Sequence, residues 1–388
     1  MSAGKDADSA SRIFVPAEQF FRLSRKLARA IVRCMFVRQF IFPSRSRCAV
    51  VALESAGLSI LRHEPCRFCG SHDGLHIFPV TFWDIETTNL VGCLSCRLVQ
   101  LDPMLSDTAM SKGVYAYYLW QRAHESPRSQ LKNALRNFRK GYAFARSLPN
   151  GFIPKRVLEL GPGSGWFLRG VKEIFRDAEF SAWDMVPDVV GAMAAQHGFY
   201  PLSGDLSSLR SKPPFDLIIA RDVIEHFADA GSALRQTVDL LKSGGMFHFI
   251  TPNGHEDLWK FFVAGKLGYH EAGELLLNHV NYFDGAGLRR YLESIGLIEV
   301  EYYTYDFSVW KAGIGWRVTP KLAAGSHGLR ADATVAECGK IKTESSVLVL
   351  PHMTWYRRLW YRFKGWRLLR LDPALNFGHE IHGVFRKV

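Results

Sequence analysis

The chain has 388 residues, 47% of them hydrophobic and 22% charged, with a formal net charge of +12. That length carries a substantial core and more than one domain, and the composition is that of an ordinary globular protein. The basicity sits at the two ends: residues 1–62 hold eleven Lys or Arg against four acids, residues 351–388 hold eight against two, and the rest sums to −1. A central region without net positive charge argues against a basic stripe that grips nucleic-acid phosphates.

Residues 1–62 predict a basic helical extension. Arg22, Arg25, Lys26, Arg29 and Arg33 recur at helical spacing, Phe20, Leu23, Leu27, Ile31 and Cys34 take other faces, and Pro43 stops the helix. Such a helix suits an anionic membrane surface, or else packs its apolar side on the protein and leaves a solvated basic face. Residues 355–370 repeat this mixture of aromatics and cations. The best candidate for a membrane span, Ala30 to Phe42, is broken by Arg33 and Arg38 and falls short of the roughly 20 apolar residues required. The N-terminus has no secretory-signal pattern. A cytoplasmic protein, with the option of peripheral membrane attachment, is the expectation.

Residues 63–105 carry Cys66-x2-Cys69 and Cys93-x2-Cys96. Two such knuckles present four thiolates, which suits a tetrahedral structural zinc in a ribbon-like module; four cysteines leave no open position for catalysis. A pair of disulfides is the alternative, disfavoured in a reducing compartment. Residues 106–150 predict a helical lead-in whose Tyr115 and Tyr118 are candidates to close over a ligand.

An apolar strand then runs from Arg156 and breaks at Gly161-Pro162-Gly163-Ser164-Gly165 before the periodic residues Phe167, Leu168 and Val171 open a helix. Glycines there let the backbone take positive φ and approach a nucleoside-like ligand. A dinucleotide-binding turn is the rival, but its final Gly or Ala position is Trp166 here, too large for close packing of helix on strand. The next strand ends at Asp184, nineteen residues past Gly165, and a third ends at Asp205. An acid after the second strand can accept hydrogen bonds from both ribose hydroxyls. Each acid could equally cap a helix or hold a loop. Phe215 to Arg221 forms a buried fourth strand that leads to Asp222, Val223, Glu225 and His226, and Leu241 to Asn253 holds the fifth.

The Glu159-x-Gly161-x-Gly163-x-Gly165 pattern resembles motif I of class I S-adenosylmethionine-dependent methyltransferases. Phe215-Asp-Leu-Ile with Glu225-His226, and His279-Val-Asn-Tyr-Phe283, resemble later signatures of that family in the same order. The resemblance implies a Rossmann-like, mostly parallel sheet of seven strands in the order 3-2-1-4-5-7-6, with helices on both faces. Its catalytic core would span residues 151–310, residues 311–378 would be an insertion facing substrate or membrane, and residues 379–388 the last strand. It implies S-adenosylmethionine held by Glu159, Gly161, Pro162, Gly163, Gly165, Asp184, Met185, Asp205, Leu206, Asp222 and Val223. The module around Cys66 and Cys93 resembles the zinc-binding segment that precedes the catalytic domain in some bacterial sugar and secondary-metabolite methyltransferases.

His226 and His279 are the candidate general bases, against a purely ordering role for each; Glu225 reads as an orienting carboxylate and His248 as a sheet residue. The expected reaction is O-methylation of a small-molecule or glycan acceptor, such as a sugar, a lipid-linked glycan or a secondary metabolite. Sugar C-methylation, an RNA or protein methyltransferase that uses the ribbon and basic ends for recognition, and a cofactor-binding protein without catalysis are the alternatives.

Overall fold

The chain builds two sheets, a small antiparallel one and a large one whose central strands are unbroken apolar runs covered on both faces. The computed structural model describes residues 60–62, 64–82, 86–110, 125–254, 257–258, 279–305, 372–373 and 380–388. All of them belong to one unit that begins at Ile60. The basic extension up to residue 59, Tyr115 and Tyr118, and almost all of the insertion at 311–378 lie outside the described residues, while Ile60–Arg62, the end expected of that extension, is instead a strand.

Four strands come first: β1 (Ile60–Arg62), β2 (Asp73–Phe82), β3 (Glu86–Cys93) and β4 (Val99–Asp102). Helix α1 (Pro127–Ser147) leads into β5 (Arg156–Leu160), α2 (Trp166–Lys172), β6 (Glu179–Asp184), α3 (Pro187–His197), β7 (Tyr200–Ser203), β8 (Phe215–Arg221), α4 (Ala230–Asp239) and β9 (Leu241–Pro252). The remainder supplies β10 (Asn281–Tyr282), α5 (Gly285–Ser294), β11 (Leu297–Tyr305) and β12 (Glu380–Lys387). Among the described residues no helix is long and apolar enough to cross a membrane.

The large sheet has the order β11-β12-β9-β8-β5-β6-β7. Read from β7, with these strands counted in chain order, that is 3-2-1-4-5-7-6. Strands β9, β8, β5, β6 and β7 run parallel, and β12 is antiparallel to both its neighbours. Val157, Leu158 and Leu160 in β5 and Leu217, Ile218, Ile219 and Ala220 in β8 are fully buried, as central parallel strands covered on both faces require. His248 packs within the sheet as expected, its Nδ1 3.1 Å from the Gly383 carbonyl and its ring stacked 4.0 Å from Phe144.

The lead-in is one long helix. Ser126 caps it by accepting from the Ser129 amide, and Pro127 stands where a helix has no use for an N–H. Its Ala145 and the C-capping Leu148 just beyond it join Val157, Phe167 and Leu217 in the core. Helices α1 and α2 approach backbone to backbone: a Cβ on Gly141 would collide with the Phe167 carbonyl, and one on Gly170 with the Phe138 carbonyl. Alanine is the better helix former by about 1 kcal/mol, but neither carbonyl can swing aside. Gly170→Ala should therefore destabilise the protein by about 1–3 kcal/mol. A thermal melt that rises instead of falling would contradict this account of the crossing.

The small sheet has the order β1-β2-β3-β4-β10 and is antiparallel throughout. Its last strand was not foreseen. Asn281 and Tyr282, read from the sequence only as a site passage, pair with Gln100 and Val99 of β4 and tie the cysteine module to the catalytic half. The Gly231 amide donates to the Arg67 carbonyl at 3.2 Å, and Gly287 lies against the Cys96 carbonyl where a side chain would collide. Phe68 packs its ring 4.1 Å from Tyr291 and 5.6 Å from Phe283.

Candidate functional site

Every residue expected to meet the cofactor lies at the carboxyl end of β5, β6, β7 or β8, where a doubly wound sheet opens its crevice. Beyond β5, Gly161, Gly163 and Gly165 have φ of +56°, +56° and +74°, values that L side chains resist. The Gly161 amide donates to the Trp183 carbonyl at 2.8 Å, and Gly165 donates to the Pro162 carbonyl at 2.9 Å. A Cβ on Gly161 would strike the Val223 side chain, and one on Gly165 would come within 2.5 Å of Met193 Sδ. The turn is thus tight against its own walls.

Glu159 is buried at the base of the turn, and its Oε2 has no hydrogen-bond partner. Burial pushes its carboxyl up to about 8, opposed by the Arg221 guanidinium and a backbone bond to Leu168. Arg221 itself lies 4.0 Å over the Phe167 ring. A buried carboxyl with one oxygen left without a hydrogen-bond partner, beside a glycine cradle, fits a ligand that brings a positive charge and donor hydrogens.

The acids divide in character. Asp184 Oδ1 accepts the Val186 amide at 3.0 Å, and burial raises its carboxyl. Beside it Met185 is 71% exposed, an apolar side chain presented to solvent at the crevice. Asp205 is exposed and spends Oδ1 on the Ser207 amide, capping a short 3-10 turn. Leu206 is buried in the core, so only its backbone is presented. Asp222 is a non-glycine residue at φ +54° whose amide donates to the Ile250 carbonyl at 2.8 Å, a conformation held by its surroundings at a cost of about 1–3 kcal/mol. Although accessible at the cleft mouth, its carboxyl is densely enclosed and shifted up, first by burial and then by Glu380, while Arg221, Lys140 and His279 act in the opposite sense.

The two candidate histidines are brought together. Their ring centroids are 5.3 Å apart, and Oε1 of the buried Glu225 lies 4.0 Å from Nε2 of each. Glu225 Oε2 accepts from Thr251 Oγ1 at 2.9 Å, whereas Oε1 has no hydrogen-bond partner. Burial pushes this carboxyl up to about 8, His279 works against the rise and Asp222 adds to it. His279 Nδ1 sits 3.2 Å from Asp257 Oδ2. Burial disfavours its imidazolium, but Asp257, Glu225 and Asp222 outweigh that, so its pKa is raised. Asp257 from the segment after β9, Lys140 from α1 and Glu380 from β12 escaped the sequence reading. Each reaches the cleft from a distant element: Glu380 lay in the expected last strand and Asp257 just past the fifth, but neither passage marked the residue itself as part of a site.

The four cysteines converge. Cys66 Sγ lies 3.8 Å from Cys96 Sγ and Cys69 Sγ 3.5 Å from Cys93 Sγ, with all four sulfurs within 4.8 Å of one another. All four are free thiols, so the disulfide alternative does not hold. Sulfurs bound at about 2.3 Å to one tetrahedral zinc stand about 3.8 Å apart, and this set fits such an ion with little adjustment.

A glycine turn and acids at the ends of successive parallel strands stand together on a doubly wound sheet. Residues 128–315 match the profile of a methyltransferase domain. Two curated relatives are methyltransferases by name. Trans-aconitate 2-methyltransferase of Mycobacterium ulcerans is 28% identical over 102 residues, which is 26% of this chain and 38% of that protein. Ubiquinone biosynthesis O-methyltransferase of Azoarcus sp. is 24% identical over 162 residues, covering 38% of this chain and 66% of that one. The chain therefore spans less than two thirds of either relative. Among solved structures, the N-methyltransferase NodS of Bradyrhizobium japonicum, in complex with S-adenosylhomocysteine, is similar at a TM-score of 0.35 and 12% identity, covering 69% of this chain and 90% of that one.

Proposed function

We propose that the protein is an S-adenosylmethionine-dependent methyltransferase acting on a hydroxyl of a small-molecule or glycan acceptor. The observation that carries this reading is the tight glycine turn next to the buried Glu159, whose Oε2 has no hydrogen-bond partner, with Asp184 and Asp205 at the ends of the next two parallel strands. When bound, the cofactor supplies an activated methyl on a sulfonium. The protein's part is then to hold and orient the two reactants. Gly161, Gly163 and Gly165 admit the ligand close to the backbone, Glu159 faces its cationic end, Asp184 accepts its sugar hydroxyls, and Met185 offers an apolar surface to the base. Asp205, partly committed to its cap, contributes less.

On the acceptor side, Glu225, His226 and His279 face one another beyond β8. A cluster of carboxylate and imidazole groups suits an acceptor that has a proton to lose, which favours oxygen. We further assign a structural zinc to Cys66, Cys69, Cys93 and Cys96, which would hold the module whose backbone supports α4 and α5.

Glu159 yields a pH prediction. In the free protein its carboxyl is neutral below about 8, and a cationic ligand favours the ionised form. Binding then expels a proton, so affinity for S-adenosylmethionine should rise as pH climbs toward 8 and level off above it, approaching tenfold per unit where this group dominates. Calorimetry in buffers of differing ionisation enthalpy would detect the released proton, and Glu159→Gln should abolish the slope. A wild-type affinity flat between pH 6 and 8 would contradict the assignment. The acceptor class is tested by incubating the full chain with methyl-labelled donor and hydroxyl, amine and carbon acceptors; label confined to nitrogen or carbon would overturn O-methylation.

A further inference from the structure

We propose that Glu225, His226 and His279 form a divalent-cation site at the acceptor end of the cleft, where the cation takes the acceptor's hydroxyl oxygen. The acceptor clause rests on the methyltransferase reading; the cation site itself does not. Three residues each offer one ligand atom, and these atoms all lie within 4.8 Å of one another. Glu225 Oε1 stands 4.0 Å from Nε2 of His226 and 4.0 Å from Nε2 of His279. Ligands at about 2.0–2.2 Å from one ion stand roughly 3–3.5 Å apart, so closing on a metal asks for side-chain movement of about half an ångström.

Two further observations point to an ion. Glu225 is 1% exposed, and its Oε1 is an acceptor with no hydrogen-bond partner, a costly arrangement for a buried carboxyl unless something positive meets it. The other oxygen is fixed by Thr251, which leaves Oε1 to the two imidazoles. Asp257 in turn engages Nδ1 of His279 and leaves Nε2 facing Glu225. Metal-ligating histidines are held in this way, one ring nitrogen on a carboxylate and the other on the ion. A cation would also relieve the repulsion between Glu225 and the nearby Asp222.

The donor set is two nitrogens and one oxygen, which suits Zn²⁺, Mn²⁺ or Fe²⁺. Three protein ligands leave coordination positions for substrate, unlike the four-cysteine set. The site adjoins the cofactor turn, because Val223, two residues before Glu225, packs on Gly161. A cation there lowers the pKa of a coordinated hydroxyl. The acceptor O–H gives its proton to solvent, its oxygen forms the new bond to the methyl carbon, and the C–S electron pair stays on sulfur.

The full-length protein is first treated with EDTA and freed of the chelator, then titrated with Mn²⁺ while electron paramagnetic resonance reads the bound ion; Mn²⁺ is too hard an ion to favour the thiols. Zn²⁺ uptake beyond the equivalent retained by the cysteines is measured alongside. The wild type should take up one Mn²⁺ or one additional Zn²⁺ per chain. Glu225→Gln, which keeps the shape of the side chain, and His279→Gln, at a partly exposed position, should each weaken that binding at least tenfold and leave S-adenosylmethionine affinity within about twofold. If one variant fails to fold, the other carries the comparison. Absence of either metal in the wild type, or equal metal affinity in the variants, overturns the proposal. Metal binding without cofactor binding would instead leave the cation site standing and sink the methyltransferase reading.

Discussion

Replacing Cys66 with serine should weaken the hold on the proposed zinc and lower the melting temperature of the whole unit from Ile60 onward, not of the small sheet alone. Cys66 is buried and shares a tetrahedron-sized cluster with Cys69, Cys93 and Cys96. The knuckles are also a packing surface. The Arg67 carbonyl accepts from the Gly231 amide at the start of α4, Phe68 packs on Tyr291 and Phe283, and the Cys96 carbonyl lies against Gly287 in α5. Structural zinc sites contribute on the order of 10 kcal/mol to folding of small modules. If half of that is lost on removing one ligand, at about 2–4 °C per kcal/mol the melt should fall by about 10–20 °C. The melt and the zinc content are read on the same sample. A Cys66→Ser protein that melts with the wild type, or a wild type that contains no zinc, would remove the metal from this account.

Asp184→Ala should weaken S-adenosylmethionine binding by about 100-fold while changing stability little. Its Oδ1 already holds the Val186 amide, and the remaining acceptor capacity is what a ribose would use. Two hydrogen bonds to a charged group at about 1.5 kcal/mol each amount to two orders of magnitude in affinity. Asp205→Ala should cost less than about tenfold, because that carboxyl is exposed and engaged in a cap. Titration calorimetry with S-adenosylmethionine and S-adenosylhomocysteine separates the two substitutions. Equal losses at both positions would contradict the ranking, and wild-type affinity in Asp184→Ala would remove the ribose role.

Features with a local cause were legible in the sequence. The glycine turn announces itself because only glycine accepts the φ values found at Gly161, Gly163 and Gly165, and strands β5 and β8 because burial on both faces demands unbroken apolar runs. The two CxxC knuckles are equally local. Features made by distant pairs were not legible. Nothing near Gly141 or Gly170 signals that two helices would meet there backbone to backbone, and a two-residue strand such as β10 has no periodicity to detect. The Glu225, His226 and His279 cluster was half visible. The residue types were singled out as a possible base and an orienting carboxylate, but their convergence on one point, and the hold of Asp257 on His279, are properties of the fold. Asp205 is a reverse case: its place after a strand suggested a ligand, and the structure also assigns it the capping duty that an isolated aspartate most often performs.

The central claim is that the crevice beyond β5 to β8 binds S-adenosylmethionine as a methyl donor. The most direct measurement is calorimetric titration of the folded, full-length protein with S-adenosylmethionine. The account predicts saturable binding of one equivalent per chain, strongly weakened in Asp184→Ala. A folded wild-type protein that shows no affinity for S-adenosylmethionine would contradict it.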